Sequence, residues 1–246
     1  MGTLFPTCLK GPNTIFKIFV LMLSHLDARG MDSHFSLHRV SWINKEVGNM
    51  RTAILQAIDD GVRAIHEMKQ EHVVSFIESA ALLIAESFRS GHKLLICGNG
   101  GSLCDAIHFA EELSGVYREK RAALPAIALS DPGMMSCIGN DFGYEFVFSR
   151  AVEAYGGPGD VLVLLTTSGN SANLLAALKV AKERELKTIA FLGKTGGKLR
   201  GLADLEWIVS GFRWSDRIQE AHMTAIHILI EQIETLLFSP TLCASR

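Results

Sequence analysis

Residues 94–113 read LLICGNGGSLCDAIHFAEEL: an apolar run, a glycine-rich turn, then an amphipathic helical pattern. A strand that feeds such a turn into a helix N-terminus builds an anion site. The glycines let backbone approach a ligand closely, and the first-turn N–H groups have no helical partners. The arrangement recurs downstream. Residues 160–166, DVLVLLT, run into Thr167-Ser168-Gly169-Asn170-Ser171 and then the helical pattern ANLLAALKVAKE. Neither loop carries the GxGxxG dinucleotide fingerprint or the GxxxxGK[ST] phosphate loop. One glycine–serine loop is explained well enough as a tight turn. Two of them, both at strand ends, point to a ligand with a phosphate and several hydroxyls.

Strands are expected at 93–97, 126–129, 161–166, 188–192 and 205–209. Helices are expected at 102–114, 144–154, 172–184 and 216–237, with a short element at 131–138. Strands that are apolar throughout and alternate with helices belong to a parallel sheet covered on both faces. The expected fold is α/β: a three-layer sandwich around a parallel, doubly wound sheet of flavodoxin-like type, with added N-terminal helices. Ligands of such sheets sit beyond the carboxyl ends of the strands, where both loops fall. Ahead of the first strand, residues 50–90 are helical. Ile54, Ile58, Val62, Ile65 and Met68 recur three and four apart and form one apolar stripe. A second helical run, 73–88, ends at Gly91, a plausible helix stop. Residues 1–49 mix Gly, Pro and His with scattered apolar residues and show no sustained period. They read as a poorly ordered N-terminal extension, or as an over-extended start with Met50 as the natural beginning. The domain itself is expected to span residues 50–240.

A chain of 246 residues accommodates one α/β domain with extra helices, or a domain with a tail. At 48% apolar residues it has material for a sizeable core. A net charge of −2 without a basic block argues against nucleic acid and membrane surfaces as main partners. The cysteines (Cys8, Cys97, Cys104, Cys137 and Cys243) are odd in number and scattered, with no CxxC. A disulfide framework is therefore not expected, and a cytoplasmic location is. No apolar run reaches the length of a membrane span. The nearest, IFKIFVLML at residues 15–23, is short and broken by Lys17.

His108 and Glu112 lie four apart and share a helix face; Gln219 and His227 lie eight apart, roughly on one side of the last helix. Two imidazoles, a carboxylate and an amide oxygen suit a divalent metal such as zinc, or general acid–base chemistry. Spacing alone leaves a structural reading slightly ahead, because exposed glutamates and hydrogen-bonded histidines are common on helices. His222 fits that description. Asp131 reads as a turn or cap residue after a strand, and Asn140-Asp141 as a cap for the helix that follows, although both lie near the ligand edge of the sheet. Arg217 suits a phosphate or a solvated helix face, and Lys194 and Lys198 in the glycine-rich turn after the fourth strand are equally open.

The blocks CGNGGS…HFAEEL, AIALSDP, NDFGYEFVFSR, TTSGNS, GKTGGKLRGLAD and DRIQEAH…H, in this order, resemble the phosphoheptose isomerases of the sugar isomerase (SIS) superfamily. The resemblance runs from residue 50 to residue 237. It implies an aldose–ketose isomerase that converts sedoheptulose 7-phosphate to D-glycero-D-manno-heptose 7-phosphate, an early step toward the ADP-heptose of bacterial lipopolysaccharide. It implies a cytoplasmic homotetramer with active sites between subunits, and one zinc per subunit at His108, Glu112, Gln219 and His227. Substrate contacts carry over to Asn99, Gly100, Gly101, Glu112, Asn140, Asp141, Thr166, Thr167, Ser168, Ser171 and Gln219. Moving a carbonyl between adjacent carbons through an enediol needs a base near carbon and an acid near oxygen. Glu112 is the expected base and His227 its acid/base partner. Leu103 stands where relatives often have a polar residue. The rival reading is a non-catalytic SIS protein that binds a replication initiator or senses a sugar phosphate. Initiator-binding relatives lack the carboxylate and imidazole matched here by Glu112 and His227.

Overall fold

The structure, a computed structural model, describes residues 33–238, with side chains from residue 46 onward. The apolar run at 15–23, Cys8 and Cys243 lie outside the described residues. The chain divides into two compact units, one ending at Asp59 and one starting at Asp60. Helix α1, Ser33–Glu67, runs across that division. It therefore reaches back into the stretch that the sequence pattern left without a period.

The second unit continues with α2 (Glu71–Arg89), β1 (Leu94–Gly98), α3 (Gly101–Ser114), β2 (Ala126–Ala128) and α4 (Pro132–Asp141). A 3₁₀ turn at Tyr144–Phe146 leads into α5 (Val147–Tyr155). Then come β3 (Val161–Leu165), α6 (Ala172–Glu183), β4 (Lys187–Gly193), β5 (Leu205–Val209) and α7 (Ser215–Phe238). The five strands form one parallel sheet in the order β2-β1-β3-β4-β5. That is the flavodoxin-like order, and its direction reverses between β1 and β3. The two glycine loops leave those two neighbouring strands, so both open at the switch point.

Strand alternation divides the core in two. Leu94 and Ile96 of β1, Val161, Val163 and Leu165 of β3, and Phe191 of β4 face a layer made by the end of α1 with α2, α3 and α7. Leu95, Cys97, Leu162, Leu164 and Leu192 face the other layer, built mainly by α5 and α6. This is the expected three-layer sandwich. Each fully buried Leu, Ile or Phe side chain contributes about 1.5–3 kcal/mol, so both layers are needed.

Local chemistry sets the element ends. Helix α2 stops where Gly91 takes φ +80, His92 N–H donates to Ser87 O at 3.0 Å and Gly91 N–H donates to Phe88 O at 3.1 Å. This paired closure satisfies two terminal carbonyls and needs a residue that tolerates positive φ. Asp131 caps α4 by accepting from Met134 N–H at 2.6 Å, with Pro132 in the first turn. Asn140 and Asp141 do not cap the following helix. They are the last two residues of α4, and Gly143 precedes the 3₁₀ turn. The apolar stripe divides as well: Ile54, Ile58, Val62 and Ile65 on α1 are exposed, whereas Met68, just past its end, is buried. Among the described residues, Cys97, Cys104 and Cys137 are free thiols, and no helix is long and apolar enough to cross a membrane.

His222 pins α7 to the sheet. It is fully buried, its Nε2–H donates to Leu192 O at 3.0 Å, and the Phe191 and Trp207 rings stand 5.7 and 5.8 Å away. Its Nδ1 has no hydrogen-bond partner. Burial pushes its pKa down to about 4, against the opposing pull of the Leu192 hydrogen bond. The unfolded chain takes up this proton near pH 6.5, whereas the folded one does so only near pH 4. Stability is therefore lost as pH falls through that window, by about 3 kcal/mol at its lower end. Urea unfolding at about pH 7 and about pH 4 should show a smaller acid loss in His222→Gln than in the wild type. Equal losses in the two proteins would remove His222 as the acid-sensitive group.

Candidate active site

The sheet lays α3 and α7 side by side on one face, and three of their side chains meet. The Glu112 Oε1 lies 3.2 Å from His108 Nε2, and its Oε2 lies 3.5 Å from His227 Nε2. The Glu112 side chain is 14% exposed, the two histidines 42% and 36%. The two imidazoles stand edge to face, with centroids 5.1 Å apart and planes at 76°. His108 and Glu112 share a face because four residues make about one helical turn. His227 joins them only through the packing of α7.

One ligand atom from each of His108, Glu112 and His227 can be chosen so that all three lie within 4.8 Å of one another. A tetrahedral zinc with bonds of about 2.0–2.1 Å has ligand–ligand edges of about 3.3–3.4 Å. The 3.2 and 3.5 Å separations fit that size. Glu112 Oε2 is also buried without a hydrogen-bond partner. An orphaned carboxylate oxygen between two imidazoles is suited to a cation or a proton. One turn before His108, Asp105 has a second orphaned oxygen. Burial pushes the Asp105 carboxyl up to about 6, and the charge of His108 pulls it back part of the way.

Gln219 lies two turns before His227 on α7, and its amide rests against the first glycine loop. A Cβ on Gly101 would stand 2.6 Å from Gln219 Nε2 and 2.9 Å from Oε1. A side chain at this position would push the Gln219 amide aside. Gly101 precedes His108 by seven residues, about 10 Å along the axis. The structure therefore groups Gln219 with the loop at the head of α3.

The loops themselves are largely self-bonded. In the first, Ser102 N–H donates to Asn99 O, and the N–H groups of Leu103 and Cys104 donate to Gly100 O. The Asn99 amide is paired both ways with Asn173, at 2.9 and 2.8 Å, and Tyr144 O–H donates to Asn99 Oδ1 at 3.2 Å. Asn173, buried in the first turn of α6, thus ties the first loop to the second. In the second loop, Thr166 Oγ1 accepts from the N–H groups of Ser168 and Gly169, and Ser168 Oγ accepts from Asn170 N–H. Thr167 Oγ1 donates to Ser215 Oγ at the head of α7 at 3.0 Å. Ser171 is the N-cap of α6, and its side chain makes no capping bond. Asn140 and Asp141 are exposed, joined by a 2.6 Å bond from Asn140 Nδ2 to Asp141 Oδ1. Arg217 pairs with Asp216 and Glu220 along α7, as a helix-face residue does.

The SIS domain family model matches residues 58–193. Over 167 residues the chain is 58% identical to the phosphoheptose isomerase of Vibrio cholerae serotype O1, covering 68% of this chain and 87% of that protein. The chain belongs to the phosphoheptose isomerase family. The Haemophilus ducreyi phosphoheptose isomerase is 59% identical over 167 residues, covering 68% of this chain and 86% of that protein. The solved phosphoheptose isomerase from Neisseria gonorrhoeae superposes with a TM-score of 0.71 at 38% identity, over 76% of this chain and 99% of that one. A phosphoheptose isomerase from Francisella tularensis gives a TM-score of 0.72 at 33% identity, over 76% and 98%. The protein is accordingly an aldose–ketose isomerase of heptose biosynthesis.

Asn173, Tyr144 and Tyr117 were not legible as site residues in the sequence. A polar residue at the second position of an otherwise apolar helix was the available signal for Asn173. The two tyrosines offered none.

The Gly101–Gln219 contact can be tested by a double-mutant cycle. Gly101→Ala should lower kcat/KM by up to about 100-fold by displacing the Gln219 amide. In a Gln219→Ala background the same substitution should cost much less. Equal costs in both backgrounds would mean that the close approach does not matter.

Proposed function

We propose that this isomerase converts sedoheptulose 7-phosphate to D-glycero-D-manno-heptose 7-phosphate through an enediol, with Glu112 as the base that moves the carbon-bound proton. The observation that carries the reading is the nearly buried Glu112 carboxylate, with an orphaned Oε2 between His108 and His227. A carboxylate so placed can take a proton from C1 of the ketose and return it to C2. The oxygen-bound proton moves in the same sense, from O1 to O2, as the carbonyl passes from C2 to C1. His227, 3.5 Å from the carboxylate, serves as acid and base toward the two oxygens. Partial withdrawal of Glu112 from solvent keeps water from quenching the enediol.

His108, Glu112 and His227 would hold a zinc ion, one per subunit, with Gln219 as the proposed fourth ligand. A metal bound there would polarise the substrate carbonyl and stabilise negative charge on its oxygen. The phosphate would lie at the second loop, where Ser168, Ser171 and Thr167 offer hydroxyls beside the N-terminus of α6. Thr166 shapes that loop from beneath. Asn99, Gly100 and Gly101 would border the sugar, with Gln219, Asn140 and Asp141 meeting its hydroxyls. We further infer a cytoplasmic homotetramer with active sites between subunits, acting toward lipopolysaccharide heptose. The exposed apolar residues Ile54, Ile58, Val62 and Ile65 of α1 support that assembly, because such a stripe is normally covered.

Glu112→Gln keeps the side-chain size and removes the base. Its kcat on sedoheptulose 7-phosphate, followed by NMR, should fall about 10²- to 10⁴-fold while the protein stays folded. A variant that keeps more than about a tenth of the wild-type kcat would put Glu112 out of that role.

Zinc content gives an independent check. His108→Ala and His227→Ala should each lower bound zinc measured by atomic absorption, since each removes one of the proposed ligands. Full occupancy in both variants would mean that the cluster is not the metal centre.

A further inference from the structure

We propose that Tyr117 is a positioning residue for His227, carried by a strap, residues 115–121, that locks the end of α3 onto α7. The proposal rests on the reading of His227 as the proton-transfer partner of Glu112.

The Tyr117 ring lies nearly parallel to the His227 imidazole, with planes at 16° and centroids 5.9 Å apart. His108 meets the same imidazole edge to face. Imidazole χ2 is a broad torsion that a helix does not fix by itself. A flat partner within the range of offset stacking narrows it. Confined by one ring in parallel and one on edge, the imidazole keeps Nε2 toward Glu112 Oε2.

The strap in turn is fixed on both flanks of Tyr117. Arg118 sits 5.1 Å over the Tyr117 ring and pairs with Glu231 at 2.9 Å, four residues beyond His227 on α7. Arg121, only 6% exposed, pairs with Glu234 at 2.7 Å, seven residues beyond His227. The Arg121 guanidinium also donates to the carbonyls of Glu112, Leu113 and Gly115 at 2.7, 2.7 and 3.1 Å. Those carbonyls lie at the C-terminal end of α3, where a cation is favourable and the last acceptors lack helical partners. One buried arginine therefore joins the backbone of the proposed base to the helix that carries its partner. Tyr117 converts that union into a fixed ring plane.

The test uses the full-length enzyme with Tyr117→Phe and Tyr117→Leu. The phenylalanine keeps the flat ring and should keep the wild-type kcat and KM. The leucine removes it, so kcat should fall roughly 10- to 100-fold with KM unchanged. In parallel, the His227 ring resonances, identified as those missing in His227→Ala, should move from their ring-current-shifted position in the leucine variant alone. In the wild type these protons should show nuclear Overhauser contacts to Tyr117, a measurement that needs no Tyr117 variant to fold. A leucine variant as fast as the wild type, a phenylalanine variant as slow as the leucine one, or the absence of those contacts would overturn the proposal. His227→Ala separates the two levels. If it stays active, the role of His227 fails and that of Tyr117 with it. If it is inactive while Tyr117→Leu is fast, only the positioning inference fails.

Discussion

The register between α3 and α7 is the constraint on which the site depends. The two helices lie on one face of the sheet, and contacts along them set their relative position. Gln219 fits where Gly101 has no side chain, His227 reaches Glu112, and Glu234 meets Arg121 at the far end of α3. His222 fixes the rotation of α7, because its Nε2–H must reach Leu192 O inside the core. A shift of one residue along α7 turns every side chain by about 100°. His227 would then leave Glu112, and His222 would lose the acceptor that its buried N–H needs. The cost of that orphaned donor, about 1–3 kcal/mol, is what makes the register stiff.

The sheet order explains why so few residues can organise a site of this size. Because the order reverses between β1 and β3, the loops after those strands are neighbours and their helices diverge to opposite faces. The reciprocal Asn99–Asn173 amide pair crosses the gap between the loops. Ser215 touches the second loop through Thr167, and Gln219, one turn later, touches the first. The head of α7 therefore contacts both loops, and its middle carries His227. Loop spacing and imidazole position are measured off one helix.

The sequence was informative wherever a local period or turn rule decides the outcome. Apolar runs marked all five strands, and the two glycine–serine loops marked the carboxyl ends of β1 and β3. The four-residue spacing of His108 and Glu112 placed both on one face. The joining of His227 to them depends on how two helices pack, which no spacing encodes. Asn140 and Asp141 read as caps because such residues favour helix starts, yet α4 runs through them and ends there. The stripe on α1 was legible as one apolar face, but periodicity does not say what covers a face. Ile54 and Ile58 are exposed where Met68 is buried. Tyr117 lies outside regular structure, so neither period applied to it.

The polar residues of the loops carry two separable duties, and the hydrogen bonds distinguish them. Thr166 is buried and accepts from two loop N–H groups, so its hydroxyl shapes the turn before any ligand arrives. The Asn99 amide is likewise engaged by Asn173 and Tyr144. Ser171 stands at a helix N-terminus with its hydroxyl free of capping duty. In the proposed function the phosphate would sit there, on hydroxyls, N–H groups and the positive end of the α6 dipole. That arrangement suits an enzyme that must release its product. A neutral cradle gives directional hydrogen bonds, whereas an arginine clamp adds full charge pairing and stronger retention. In the proposed reaction the change of charge would fall on the Glu112–imidazole cluster, which α3 and α7 build between them.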